Sequence, residues 1–263
     1  MKNLVVGLII LVVAIIAAVF LYSNYGGLLQ LPKASPRSPK TSPSEISGQT
    51  IGLVSVRIVQ AAPANYFFGN VATFGWISLV NNGNQSVDVT GWKIQGNVGS
   101  FIIPKAVEVY HPSGLSPDSN IVMQPGDRLY IYTNNSPISR NFMVNRCVGY
   151  LENEIAFNPP LPLLCPQIDR QDIIQLSGEC QNYLISLGVC ETPEQNHPTW
   201  SDYNCAQKLK DINYRGCYEK YGADDDFLTG EWRIWGGGSF LDSQHDLIRL
   251  INKQGLIVDD YIY

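Results

Sequence analysis

From Leu4 to Tyr22 the chain runs through apolar and small residues without a single charge. In hydrocarbon every backbone N–H and C=O must be satisfied within its own segment, so such a run can only be helical. At about 1.5 Å rise per residue it is long enough to span a bilayer core. A cleaved signal peptide has a shorter apolar core of about 7–15 residues and an A-x-A-like site. Ala17-Ala18-Val19-Phe20-Leu21 offers no such site. Residues 1–23 are therefore expected to be an uncleaved single-pass anchor, with membrane lipid as its partner.

Two signals compete over the side on which the rest of the chain lies. Lys2 precedes the span, whereas Lys33, Arg37 and Lys40 follow it, a balance that favours a cytoplasmic location for what comes after. Against this, all six cysteines (Cys147, Cys165, Cys180, Cys190, Cys205 and Cys217) fall in one distal stretch. Clustered cysteines in even number point to three bridges and an oxidising compartment. Zinc would need close pairs such as C-x2-C, and none is present. Cysteine usage is the stronger signal, so the C-terminal domain is expected to be extracytoplasmic. A net charge of −5 leaves no basic stripe for a phosphate backbone, and nucleic acid is not an expected partner.

Residues 24–50 form a stalk: Leu31 to Gly48 is rich in Pro and Ser and nearly devoid of apolar residues, so it cannot pack. The folded part, 51–263, belongs to a chain that combines 14 Tyr with 23 Gly and 16 Pro, a mixture suited to strands and turns. Short β-like runs recur at Leu53 to Val59, Phe74 to Val80, Ser86 to Ile94, Phe101 to Ile103 and Arg128 to Tyr132. Further runs follow at Glu231 to Trp235, Leu247 to Ile251 and Leu256 to Tyr261. Asn81-Asn82-Gly83-Asn84 suits a tight hairpin with positive φ, Gln124-Pro125-Gly126-Asp127 a Pro-Gly turn, and Asn252-Lys253-Gln254-Gly255 a closing hairpin. Within Arg128 to Tyr132, Leu129 and Ile131 oppose Tyr130 and Tyr132, so each strand has a face to bury and two packed sheets are implied.

Residues 147–226 differ in character and read as a Cys-rich helical insertion. Helices are expected over Asp172 to Leu187 and Ser201 to Asn213, with Ser201 as an N-cap and Gly188 and Gly216 as terminators. If these two helices run antiparallel, Cys190 faces Cys205 and Cys180 faces Cys217, which leaves Cys147 to pair with Cys165.

Several motifs, taken in order, resemble the lamin-tail domain in a membrane-anchored bacterial form. They are Gly75-Trp76-Ile77-Ser78-Leu79-Val80-Asn81, Val87-Asp88-Val89-Thr90-Gly91-Trp92-Lys93-Ile94, Ile103-Pro104, Met123-Gln124-Pro125-Gly126-Asp127, Asp246-Leu247-Ile248-Arg249-Leu250 and Gly255-Leu256-Ile257-Val258-Asp259. The resemblance covers about Ile51 to Arg146 and Trp232 to Tyr263. It departs from the family at Ser78, where Glu is common, and in the long stretch Val107 to Ile121. It implies a mainly β, immunoglobulin-like β-sandwich with binding or scaffolding roles, in which Trp76, Asn81, Asp88, Gly91, Trp92, Pro104, Pro125, Gly126, Asp246, Gly255 and Asp259 are structural.

Chemistry is weakly signalled. Hard carboxylates could hold a divalent cation, so Asp224-Asp225-Asp226 with His245 is the candidate set for a metal-dependent hydrolase. The run lacks the spacing of a calcium loop, however, and G-x-S-x-G, G-x-x-x-x-G-K-S/T and H-E-x-x-H are all missing. Gly236-Gly237-Gly238 reads as a bend between strands. No catalytic residue, cofactor or metal is therefore expected. The leading expectation is a non-enzymatic envelope module with a protein or glycan partner. Its main alternative is a carbohydrate-binding module using Trp76, Trp92, Trp232 and Trp235, which core packing would deny to Trp92 and Trp232. Trp200 has no core explanation. Aromatic side chains gathered over a groove would favour the sugar binder over a scaffold.

Overall fold

Alternating apolar residues make strands where one face can be buried. The computed structural model, which describes residues 55–63 and 74–263, contains thirteen strands among those residues. The expected anchor and stalk lie outside the described residues. Among the described residues no helix is long and apolar enough to cross a membrane. Residues Ile51–Tyr263 form one compact unit.

The strands are β1 (Val56–Ala62), β2 (Trp76–Asn81), β3 (Val87–Asp88), β4 (Lys93–Gln95), β5 (Ser100–Ile102), β6 (Ala106–Val107) and β7 (Asp118–Ser119). They continue with β8 (Val122–Met123), β9 (Arg128–Tyr132), β10 (Phe142–Asn145), β11 (Leu228–Trp235), β12 (Leu247–Ile251) and β13 (Ile257–Ile262). A seven-stranded sheet has the order β1-β2-β9-β11-β10-β6-β7, a four-stranded sheet the order β13-β12-β4-β5, and β3 pairs with β8. Ile77, Leu79, Leu129, Ile131, Trp232 and Ile234 of the large sheet share one buried cluster with Ile94, Ile248 and Leu250 of the small one. The two sheets therefore pack face to face. β9 and β11 are parallel neighbours, and the chain between them holds β10 and the helical segment.

That helical segment covers the second face of the large sheet. Tyr132, Phe142, Val144 and Trp235 point away from the first cluster and join Cys147, Leu151, Leu184, Leu209 and Phe227 in another. The large sheet is thus buried on both faces. This explains why β10, with all four residues buried, shows none of the alternation that marks a half-buried strand.

The expected boundaries 147–226 fall between β10 and β11, but the inside of the segment differs from expectation. Its helices are α1 (Val148–Glu154), α2 (Gly178–Ser186), α3 (Tyr203–Lys210) and α4 (Tyr214–Tyr221). Ser177 caps α2, so the helix starts later than Asp172. Asp202, not Ser201, caps α3 by accepting from the Asn204 and Cys205 N–H groups. Gly216 terminates nothing and lies inside α4, where a Cβ would sit 2.1 Å from the Asp211 carbonyl oxygen. Only glycine fits that corner.

The expected pairing of all six cysteines is overturned: the bridges are Cys147–Cys217, Cys165–Cys190 and Cys180–Cys205. The antiparallel hairpin fails because Cys180 and Cys205 both lie in the first turns of their helices. The two N-termini meet, and the Ser177 hydroxyl donates to the Asp202 carboxylate at 2.8 Å, so one N-cap holds the other. Cys147 stands at the N-cap of α1 and reaches Cys217 in α4.

The turn at Asn81 to Asn84 also differs from expectation, since none of its residues has positive φ. Asn81 is fully buried and shapes the turn with its side chain. Its Oδ1 accepts from the Ser55 hydroxyl and the Gly83 N–H, while its Nδ2 donates to the Gln85 and Met123 carbonyls. The run Ser86 to Ile94 breaks into β3 and β4 around Gly91, whose φ is +78°. Gly126, at +90°, completes the expected Pro-Gly turn, with the Asp127 N–H donating to the Gln124 carbonyl. Gly255, at +79°, closes the β12–β13 hairpin. Much of the chain from Ala106 to Ile121 is taken up by the β6–β7 pair.

Candidate functional site

The carboxylates singled out in the sequence do not converge. Asp224 and Asp226 both face the Arg146 guanidinium, at 3.4 and 2.8 Å, and Asp225 is exposed. His245 belongs to the loop before β12. Among the described residues no three His, Cys, Asp or Glu side chains gather in metal-ligating geometry. The buried Asp246 carboxylate is taken up by backbone, accepting from the Asn97 N–H at 2.6 Å and the Asp242 N–H at 2.8 Å.

The other motif residues also hold backbone in place. Burial pushes the Asp88 carboxyl up, but hydrogen bonds from the Lys253 ammonium and the Thr90 N–H outweigh it and hold the group below the usual carboxylate range. The Lys253 ammonium lies 2.8 Å from that carboxylate. Asp259 reaches from β13 to accept the Ile58 N–H at 2.8 Å. Ile58 stands at the bulge where β1 loses register with β2. Trp92 is buried, and Pro104 and Pro125 lie between strands.

A platform of four tryptophans does not form. Trp232 is buried between the sheets, and Trp235 packs among Tyr132, Phe142 and Phe157 beneath the helices. Trp200 is half-buried and donates its Nε1–H to the Glu194 carbonyl at 2.6 Å. Gly236-Gly237-Gly238 is a bend, with Gly236 pressed against the stacked rings of Phe101 and Phe240.

Trp76 alone of these reaches a large groove among the described residues. It opens, with a volume of about 660 Å³, where edge strand β1 of the large sheet approaches edge strand β13 of the small one. Gln60 to Pro63, Phe74 and Trp76 form one wall; Ser243 to His245, Tyr261 and Tyr263 form the other. Trp76, Tyr261 and Tyr263 are half-buried, and Gln60 and Gln244 are exposed. Tyr263 is fixed by its hydroxyl, which donates to the Asp242 carbonyl at 2.6 Å. Burial, and then the nearby Asp246 and Asp242 carboxylates, push that hydroxyl far above its ordinary pKa, so it stays a neutral donor. No Asp, Glu, Lys or Arg lines the groove among the described residues.

Of three further grooves on the helical segment, one of about 500 Å³ is lined by Asp172, Asn204 and Asp211, and two are smaller. One of about 350 Å³ is occupied by its own charges, with Asp172 paired to Lys220 at 2.5 Å and Lys208 at 3.8 Å. The other, of about 380 Å³, is lined by Leu163, Ile185 and Val189 near the Cys165–Cys190 bridge.

The aromatic groove does not emerge from the sequence, because its walls come from opposite ends of the domain. The available signal is the alternation of Tyr261 and Tyr263 at the end of the last strand, opposite a Trp at the start of β2. No protein-family model, no curated protein and no solved structure matches the chain.

Proposed function

We propose that this chain is a non-enzymatic, membrane-tethered binding module of the cell envelope. In this reading residues 1–23 anchor it in lipid, 24–50 space it from the surface, and an immunoglobulin-like β-sandwich similar to the lamin-tail domain carries the contact site. The observation that carries the proposal is the aromatic groove between β1 and β13, a concave site with a few polar groups at its rim and no Asp, Glu, Lys or Arg in its lining among the described residues. Three disulfides with no free cysteine among the described residues support an oxidising, extracytoplasmic setting. The lamin-tail resemblance is supported by its motif residues, since Asn81, Asp88, Asp246 and Asp259 each hold backbone in place rather than facing a reaction centre.

The test places a photo-crosslinking amino acid at Gln244, on the groove rim, in the full-length protein in its own membrane. An adduct with an envelope protein or glycan, absent when the crosslinker sits at Asp225, is the expected result. Equal adducts from both positions, or none from Gln244, refute the groove as the contact site.

A further inference from the structure

We infer that the groove between β1 and β13 takes a neutral oligosaccharide, which rests on the binding-module reading above. Among the described residues its lining has no Asp, Glu, Lys or Arg side chain, so a phosphorylated, acidic or strongly basic ligand would surrender hydration with little counter-charge to meet it. The half-buried rings of Trp76, Tyr261 and Tyr263 offer flat apolar faces suited to the C–H face of a pyranose. The exposed side chains of Gln60, Ser243 and Gln244 stand beside those rings. An amide both donates and accepts, which matches a ligand dense in hydroxyls.

The same features weigh against two other neutral ligands. A lipid chain would strip water from both glutamines and return no hydrogen bond. A neutral peptide would be expected to add as a strand along the outer edge of β1. There, however, the Ile58 N–H is already committed to Asp259. The groove volume, about 660 Å³, is large enough for several sugar rings. It also falls in the size range of small-ligand sites.

The test uses the full chain in a detergent whose headgroup is not a sugar. It is titrated with neutral hexasaccharides of β-linked glucose, mannose and N-acetylglucosamine, and with a polyuronate of equal length. Calorimetry and saturation-transfer NMR read the binding. At least one neutral hexasaccharide is expected to bind with Kd below about 1 mM, and the polyuronate at least about tenfold more weakly. Tyr261→Ala is expected to weaken binding at least about tenfold and Gln244→Ala about threefold. Gln244 is exposed, so its variant keeps the test valid if Tyr261→Ala fails to fold.

Absence of saturation by every neutral hexasaccharide at about 10 mM overturns the inference, as does binding that both substitutions leave unchanged. The outcome separates from that of the broader reading. A protein adduct at Gln244 without sugar binding removes the oligosaccharide and keeps the module, whereas no adduct and no sugar binding removes both.

Discussion

Replacing both Cys180 and Cys205 by alanine should loosen the helical segment by an amount that the structure bounds. In the chain-entropy account, a bridge across n residues removes about 2.1 + 1.5R ln n cal/mol/K from the unfolded chain. The Cys180–Cys205 separation is 25. That gives about 3.5 kcal/mol at about 25 °C. Cys165–Cys190 closes an overlapping span of 25, so part of this restriction persists in the variant and the figure is an upper bound. Both cysteines are buried, and alanine avoids burying the unpaired hydroxyl that serine would bring. For a unit of this size about 1 kcal/mol corresponds to about 2–4 °C, so Tm should fall by up to about 7–14 °C. Scanning calorimetry without reductant measures it, with Cys147–Cys217 and Cys165–Cys190 checked by peptide mapping. A fall below about 2 °C, or an unreduced map joining Cys180 to any partner but Cys205, would refute the reasoning.

Other outcomes follow from single side chains. Asp246→Ala removes a buried carboxylate and leaves the part-buried Asn97 and Asp242 N–H groups without their acceptor. It should cost about 2–4 kcal/mol in urea unfolding, and an unchanged midpoint contradicts the role given to Asp246. In Gly216→Ala the new methyl meets the Asp211 backbone at 2.1 Å. That should cost at least about 1–3 kcal/mol, and a variant as stable as the parent would contradict the packing. Arg146→Ala should change stability in urea unfolding by less than about 1 kcal/mol, since its partners Asp224 and Asp226 are exposed. The carboxyls of Asp172, paired with Lys220 and Lys208, and of Asp202, bonded by Ser177 and the Cys205 N–H, are held below the ordinary value of 3.8. Their folded pKa values lie below the unfolded ones, so their contribution is present above pH 3.8 and fades as pH falls through the folded values. Asp172→Asn with Asp202→Asn should flatten the acid limb of the stability curve, and an unaltered limb speaks against it.

How much was legible depends on how local the cause is. Arg128–Tyr132 and Leu247–Ile251 match expectation because alternation records which face is buried, and the Pro125-Gly126 turn follows from fixed φ preferences. The short strands β6 and β7 carry too few residues to show a period, and β10 is buried on both faces. The disulfide pairing departs from expectation for a different reason. Helix direction fixes which turn of α2 meets which turn of α3, and the Ser177 to Asp202 hydrogen bond that selects the N-termini joins residues from separate helices. The groove is hidden for the same reason, since Trp76 and Tyr261 come to line one groove only once β1 and β13 lie side by side.

The parallel pairing of β9 with β11 bears on how the chain is made. β11 sits between β9 and β10 in the large sheet, so its slot can be filled only after the entire helical segment has been synthesised. Non-local closures of this kind are slow, since loop entropy is lost before any ladder bond is gained. The Cys147–Cys217 bridge, across a separation of 70, ties residues just after β10 to residues shortly before β11. Once it forms, the ends to be joined are already neighbours, and what remains is a short closure. Oxidation thereby becomes an assembly step for the central sheet, and the rate at which the Cys147–Cys217 bridge forms sets the pace at which its middle strand is inserted.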